Sequence, residues 1–66
     1  MQIVVNDKAS QLPNNSTIHE LLASKHITPE SVMICINGEI MGRSFWETSM
    51  LKDGDKVEVI RIVGGG

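Results

Sequence analysis

Hydrophobic and polar residues alternate towards both ends of the chain, and this alternation predicts strands. In "MQIVVN" the side chains of Met1, Ile3 and Val5 share one face of an extended backbone, so we expect a first strand here. The turn residues "NDK" follow, and "ASQL" is expected to return beside the first strand as a hairpin. Near the other end, "KVEVIRIV" predicts a final strand.

Between these strands, the segment "TIHELLASK" has the pattern of an amphipathic helix. Thr17 and Glu20 have the spacing of a capping box, in which each side chain binds a backbone N–H of the first turn. Apolar residues at helical spacing then form one stripe: Ile18, Leu21 and Leu22. Pro29 disfavours helical geometry at Thr28, so we expect "HITPES" to stop the helix that "TIHELLASK" begins.

The central part of the chain predicts a second hairpin and a connection. Five successive apolar residues, Val32–Ile36, indicate a third strand, and "NG" followed by "EIM" predicts a tight turn and a short fourth strand. We expect a helical turn around Phe45 and Trp46, with both rings packed in or beside the core. In "KDGDK", Gly54 is able to adopt a positive φ, which favours another tight turn. This order of elements predicts a sheet with one helix across one face.

Length, charge and composition limit the classes of function. A chain of 66 residues fits one small domain with little room for a catalytic cleft. With a net charge of −2, no basic stripe and few aromatic residues, nucleic acid is not an expected partner. A single cysteine excludes an internal disulfide, and no leader or membrane span is predicted, so cytoplasm is the expected location.

Candidate chemical side chains are few, and each has a structural interpretation. Cys35 lies in an apolar strand and is expected to be buried and inert. His19 and His26 lack the spacing of zinc ligands and are expected to face solvent. Asp53 and Asp55 flank a glycine and are expected to stabilise a turn. We therefore predict no catalytic residue and no metal site.

Five motifs, in order, resemble those of the ubiquitin-like β-grasp proteins and, more narrowly, the ThiS-type family of sulfur carriers in thiamine biosynthesis. They are "ND", "TIHELL", "INGEIMGRSFW", "KDGDKVEVI" and the closing "VGGG". The resemblance covers essentially the whole chain. It implies an α+β, ubiquitin-like β-grasp fold: a mixed sheet of four to five strands, with the first and last strands parallel at its centre and one α-helix across one face. Residues 1–62 would form this β-grasp domain, and residues 63–66 a flexible C-terminal glycine tail.

The resemblance also implies a carrier cycle acting on Gly66. An adenylating enzyme of the ubiquitin-activating type, using ATP and magnesium, would convert the Gly66 carboxylate to an acyl-adenylate. A persulfide from a cysteine desulfurase, or from another donor, would then lead to a thiocarboxylate, whose sulfur a thiazole synthase takes. The carrier itself would be no enzyme and would bind no cofactor. Gly65, Gly64 and Val63 would bind in the partner's channel.

A partner surface is predicted beside this tail. In the last strand, Val57 and Val59 suit the core face, whereas Ile60 and Ile62 fall on the opposite face. A helix covers only one side of the sheet, so we expect Ile60 and Ile62 to form an exposed apolar patch. The protein is predicted to be a monomer alone, with no membrane partner.

Three other interpretations remain open from the sequence. The same chemistry serves other pathways, such as molybdopterin synthesis. A ubiquitin-like modifier would instead form isopeptide bonds with lysines. A plain interaction module would have a tail without function, because glycine-rich ends are often only frayed termini.

Overall fold

The computed structural model describes residues 1–62, and within them one helix crosses a five-stranded sheet. The elements are β1 (Gln2–Val5), β2 (Lys8–Gln11), α1 (Ile18–Ser24), β3 (Val32–Ile36), β4 (Glu39–Met41) and β5 (Lys56–Arg61). The strand order is β2-β1-β5-β3-β4. β1 and β5 are parallel neighbours, and the other pairs are antiparallel. The predicted mixed sheet, with its first and last strands parallel at the centre, is confirmed.

Both predicted hairpins have turns of the same kind. Asn6 and Asp7 join β1 to β2 with φ values of 48° and 69°. Asn37 and Gly38 join β3 to β4 with φ values of 52° and 88°. Two successive left-handed residues match the right-handed twist of the flanking strands, which is why Asn, Asp and Gly occupy these positions.

The start of α1 confirms the predicted capping box. The backbone N–H of Glu20 donates to Thr17 Oγ1 (3.2 Å), and the backbone N–H of Thr17 donates to Glu20 Oε1 (2.9 Å). The apolar stripe is buried as expected, and its members are Ile18, Leu21 and Leu22.

The helix stops within the predicted segment, but its end has a different cause from the predicted one. It ends at Ser24 with Lys25 as its C-cap, because His26 adopts a left-handed conformation with φ 57°. The N–H of His26 donates to the Ala23 carbonyl (3.2 Å) and the N–H of Ile27 to the Leu22 carbonyl (2.9 Å). These two bonds form a Schellman motif, which satisfies carbonyls at the end of the helix. Pro29 instead opens a short 3₁₀ turn, Pro29–Ser31.

The hydrophobic core lies between α1, one face of the sheet and the connection before β5. Its buried residues are Ile3, Val5, Ile18, Leu21, Leu22, Val32, Ile34, Trp46, Leu51 and Val57.

Trp46 is buried as predicted, and its Nε1–H donates to the Met41 carbonyl (3.0 Å). Phe45 is exposed, so the prediction of its packing is wrong. Successive residues of the 3₁₀ turn Arg43–Phe45 and its C-cap point in different directions, and only Trp46 points inward.

The other face of the sheet, which we call the outer face, carries the alternate residues of the strands. In β3, Val32 and Ile34 are buried, Met33 is exposed and Cys35 is half-buried. The prediction that Cys35 is buried is therefore wrong. The cause is the two-residue period of the strand, which places Cys35 on the outer face although its neighbours are apolar.

Candidate functional site

The candidate site lies at the end of β5, the strand that leads to residues 63–66. β5 is hydrogen-bonded to β1 on one side and to β3 on the other. Its pairing with β3 runs to Val32↔Arg61, and the N–H of Ile62 donates to the Ser31 carbonyl (2.8 Å). The backbone is therefore held by the sheet up to the last described residue.

Asn6 supports the second half of β5 where β1 has already turned away. Its side-chain Oδ1 accepts a hydrogen bond from the N–H of Val59 (2.8 Å), and its Nδ2–H donates to the Val59 carbonyl (3.3 Å). The side-chain amide of Asn6 thus makes two hydrogen bonds to the Val59 backbone, in the place of the backbone of a longer neighbouring strand. The "ND" motif of the sequence includes this residue.

The opposite end of β5 is fixed by the predicted turn. Asp53 Oδ1 accepts from the N–H of Gln2 (2.7 Å), and Asp55 Oδ2 accepts from the N–H of Lys52 (2.8 Å). Asn37 Nδ2–H donates to Asp55 Oδ1 (3.1 Å), which connects this turn to the β3–β4 hairpin. The structural role predicted for Asp53 and Asp55 is confirmed.

Ile60 and Ile62 are exposed on the outer face, as the alternation of β5 predicts. Their exposed fractions are 43% and 49%. Met33 (38% exposed) is the register partner of Ile60, and Ile40 (69% exposed) lies on β4. Met33, Ile40 and Ile62 also line one shallow groove of about 180 Å³. We call Met33, Ile40, Ile60 and Ile62 the outer apolar patch.

Sequence reasoning missed the contributions of Met33 and Ile40 to this patch. The signal was present in the hairpin register, since "NG" turns pair Cys35 with Ile40 and therefore place both residues on one face. Ile60 is exposed, and residues of β3 and β4 that share its face belong to the same surface. The hairpin register therefore contained the information needed to add Met33 and Ile40 to the patch.

The other predicted site residues lie outside the described residues. They are Val63, Gly64, Gly65 and Gly66. The structure consequently describes the strand that precedes them and the surfaces beside it.

The titratable side chains of residues 1–62 form no compact cluster. No group of three or more His, Cys, Asp or Glu residues in this part of the chain is arranged to hold a metal ion. His19 and His26 are exposed, as predicted. His19 Nδ1 lies 3.5 Å from Glu47 Oε1 at the surface. No helix within residues 1–62 is long and apolar enough to cross a membrane.

The fold and the central position of β5 define a ubiquitin-like β-grasp protein. Comparison with known proteins identifies the family: the ThiS family model matches residues 1–66. The chain belongs to the ThiS family. It is 33% identical over 66 residues to "Sulfur carrier protein ThiS" of Escherichia coli (strain K12), and the match covers 100% of both chains.

Two further similarities extend this result. The crystal structure of the thiamine biosynthesis protein ThiS from Geobacter metallireducens matches with a TM-score of 0.87 at 33% identity, covering 100% of both chains. A thiazole synthase of Paramagnetospirillum magneticum is 29% identical over 66 residues, which are 100% of this chain and 20% of that protein. The predicted family and its β-grasp fold are confirmed.

Proposed function

We propose that this protein is a sulfur carrier of thiamine biosynthesis, whose reacting group is the carboxylate of Gly66. The observation that carries the proposal is the full-length match, in both directions, to a relative named as a sulfur carrier. The geometry is consistent with it, because the central strand of the sheet leads directly to the four residues Val63–Gly66.

The chemistry needs activation because a carboxylate is a poor electrophile. In the proposed cycle, a Gly66 carboxylate oxygen attacks the α-phosphate of ATP on the adenylating enzyme, and pyrophosphate leaves. The terminal sulfur of a persulfide then attacks the acyl carbon and displaces AMP, which forms an acyl disulfide. A thiol reductant cleaves the S–S bond and leaves the thiocarboxylate. ATP and magnesium serve the partner, and the carrier itself needs no cofactor.

Glycine suits a segment that must enter another protein's active site. Such a site excludes water so that the activated carboxyl group is not hydrolysed, and a narrow channel achieves this. Gly64, Gly65 and Gly66 have no Cβ to contact the channel walls, and glycine adopts almost any φ. Residues 63–66 span at most about 13–14 Å when extended. The body of the carrier therefore has to dock close to the channel entrance.

Docking must also offset the entropy lost when the tail is ordered, about 1–2 kcal/mol for each fixed residue. We assign this role to the outer apolar patch, because it lies beside the end of β5 and exposes four large apolar side chains. Burial of apolar surface contributes about 25 cal/mol per Å². A patch of this kind supplies the affinity, and the tail supplies the chemistry.

The proposed partners are an adenylating enzyme, a persulfide donor such as a cysteine desulfurase, and a thiazole synthase. The similarity to one fifth of a thiazole synthase supports the last of these, since that protein contains a segment like this chain in the same polypeptide. We propose the cytoplasm as the location, in keeping with a single cysteine and no internal disulfide.

Intact-mass analysis tests the proposed chemistry directly. The protein is incubated with ATP, the adenylating partner and a sulfide source. We expect a mass increase equal to the replacement of one oxygen by one sulfur, located at Gly66 by fragmentation. A variant with one extra residue after Gly66 is the control and is expected to stay unchanged. Unmodified wild-type protein with a demonstrably active partner would refute the proposal, and reduction-resistant conjugates would indicate a modifier instead.

A second experiment tests the outer apolar patch. Ile60→Asp places a charge at its centre, and we expect activation by the adenylating enzyme to fall at least tenfold through a higher KM. Met50→Asp is the control, because Met50 is also an exposed apolar residue (58% exposed, against 43% for Ile60) but lies outside the patch. Equal activation of both variants would show that the patch does not dock the partner.

A further inference from the structure

A second surface lies beside the end of β5, on the helix side of the sheet. It is a groove of about 490 Å³ between the end of α1 and the β1–β2 hairpin. Three cationic residues line it, namely Lys8, Lys25 and Arg61. The whole chain has six Lys and Arg residues, so half of its cations line this one groove. We call it the basic groove.

The charge of the basic groove is opposite to that of the whole protein. The chain carries a net charge of −2, yet no Asp or Glu lines the groove. Two acidic residues are sequence neighbours of groove residues: Asp7 lies in the exposed hairpin turn beside Lys8, and Glu58 precedes Val59 but lies on the outer face of β5. Within residues 1–62, none of the three cations forms an ion pair shorter than 4.0 Å. These cations are therefore not neutralised by contacts within the described domain.

The groove also has an apolar lining. Val32 is buried, and Ile27 and Val59 are half-buried beneath the charged rim. A ligand that fits both features carries carboxylates beside an apolar group. An acidic residue next to an apolar residue in a protein segment has this chemistry.

The position of Arg61 indicates that the segment belongs to a partner that receives residues 63–66. Arg61 is the last residue of β5, and its neighbours Ile60 and Ile62 belong to the outer apolar patch on the other face. A partner that receives residues 63–66 therefore comes close to both surfaces. We propose that the basic groove binds an acidic segment of the adenylating partner. This inference rests on the proposed function, and it adds a second contact surface and its chemistry.

Three properties follow from such a contact. Charges at the rim of an interface mainly change the association rate, and steering of this kind raises that rate by about 10–1,000-fold at low salt. The effect decreases as salt rises, because the screening length falls from about 30 Å at 0.01 M to about 10 Å at 0.1 M. The apolar lining contributes to affinity at every ionic strength.

The test compares two double variants with the same net charge. Lys8→Glu/Lys25→Glu alters the basic groove, and Lys52→Glu/Lys56→Glu is the matched control, because both of its lysines are exposed and outside the groove. Association with the adenylating enzyme is followed by stopped flow at low and at moderate salt. We expect the groove variant to associate at least about tenfold more slowly than the control at low salt, with a smaller difference at moderate salt.

Lys25 is the C-cap of α1, where an acidic residue is unfavourable, so a second groove variant avoids it. Lys8→Glu/Arg61→Glu is expected to give the same kinetic result with α1 intact. Circular dichroism verifies that each variant is folded.

Groove variants that associate as fast as the control, in a system where the wild-type protein gains sulfur, would overturn this inference alone. A wild-type protein that gains no sulfur would overturn the proposed function instead.

A small anion is the competing occupant, and a separate titration identifies it. Inorganic phosphate is added to isotopically labelled protein, and amide signals are followed by NMR. We expect no saturable change at Ile27 and Val59. Saturable shifts at these residues that Lys8→Glu/Lys25→Glu abolishes would overturn the assignment of the groove to a protein segment.

Discussion

Replacing Asn6 with alanine tests how β5 is held beyond the end of β1. The substitution removes the two hydrogen bonds between the Asn6 amide and the backbone of Val59, at 2.8 Å and 3.3 Å. It also leaves a residue with a Cβ at φ 48°, where asparagine is tolerated better than alanine. Both effects destabilise the folded state.

The magnitude follows from these two effects. A net contribution of about 1 kcal/mol for the shorter bond, and less for the longer one, gives about 1–1.5 kcal/mol, because both groups have access to water. The left-handed backbone adds about 1 kcal/mol for alanine. We therefore expect Asn6→Ala to lower the free energy of unfolding by about 2–2.5 kcal/mol. For a domain of this size, Tm falls by about 4–8 °C per kcal/mol.

Two further substitutions separate the causes, and urea and thermal denaturation followed by circular dichroism measure them. Asn6→Gly loses the same hydrogen bonds but relieves the left-handed backbone, so we expect it to be about 0.5–1 kcal/mol more stable than Asn6→Ala. Asn6→Asp keeps the acceptor for the Val59 N–H and is expected to lose least. If Asn6→Gly is as stable as the wild type, the hydrogen bonds contribute no more than the backbone strain that glycine relieves. If Asn6→Gly and Asn6→Ala are equal, the argument from the backbone is wrong.

Three other substitutions have expected effects on the free energy of unfolding, measured by urea denaturation. Thr17→Ala removes the N-cap and is expected to cost about 1 kcal/mol, whereas Thr17→Ser, which keeps the hydroxyl, should cost much less. His26→Gly is expected to stabilise the protein by up to about 1 kcal/mol, because His26 has a positive φ; destabilisation would contradict this. Leu21→Ala empties a fully buried site and is expected to cost about 2–5 kcal/mol, a large share of the roughly 3–10 kcal/mol typical of 66 residues. A loss below about 1 kcal/mol would show that the core refills the space.

Local signals predicted most of the fold. "NG" between two apolar segments specifies a turn with two left-handed residues, and the fourth strand, Glu39–Met41, has the predicted bounds. The capping box of Thr17 and Glu20 places the start of α1 at Ile18. In each case the deciding interaction joins residues only a few positions apart, so it is visible in the sequence.

The differences from prediction arise where a local pattern has more than one solution. A left-handed residue that ends a helix is usually glycine and sometimes asparagine, so the role of His26 in stopping α1 has no such signal and the sequence pattern indicates Pro29 instead. The apolar run Val32–Ile36 hides the two-residue period of its strand, so the half-exposed position of Cys35 depended on which face α1 covers. Neither outcome follows from composition.

The candidate site was predictable in part. The exposure of Ile60 and Ile62 follows from the alternation of β5 and from a single covering helix. The basic groove was not predictable in this way, because Lys8, Lys25 and Arg61 are far apart in the chain and meet only through the sheet order. The roles of Val63, Gly64, Gly65 and Gly66 stay predictions.

The place of β5 in the sheet has a consequence for biosynthesis. β5 joins the β1–β2 hairpin to the β3–β4 hairpin, yet it follows all four of those strands in the chain. A nascent polypeptide that has not reached Lys56 holds two separate hairpins, and isolated hairpins have marginal stability in water. Products that terminate before Lys56 are therefore not expected to accumulate in a folded form.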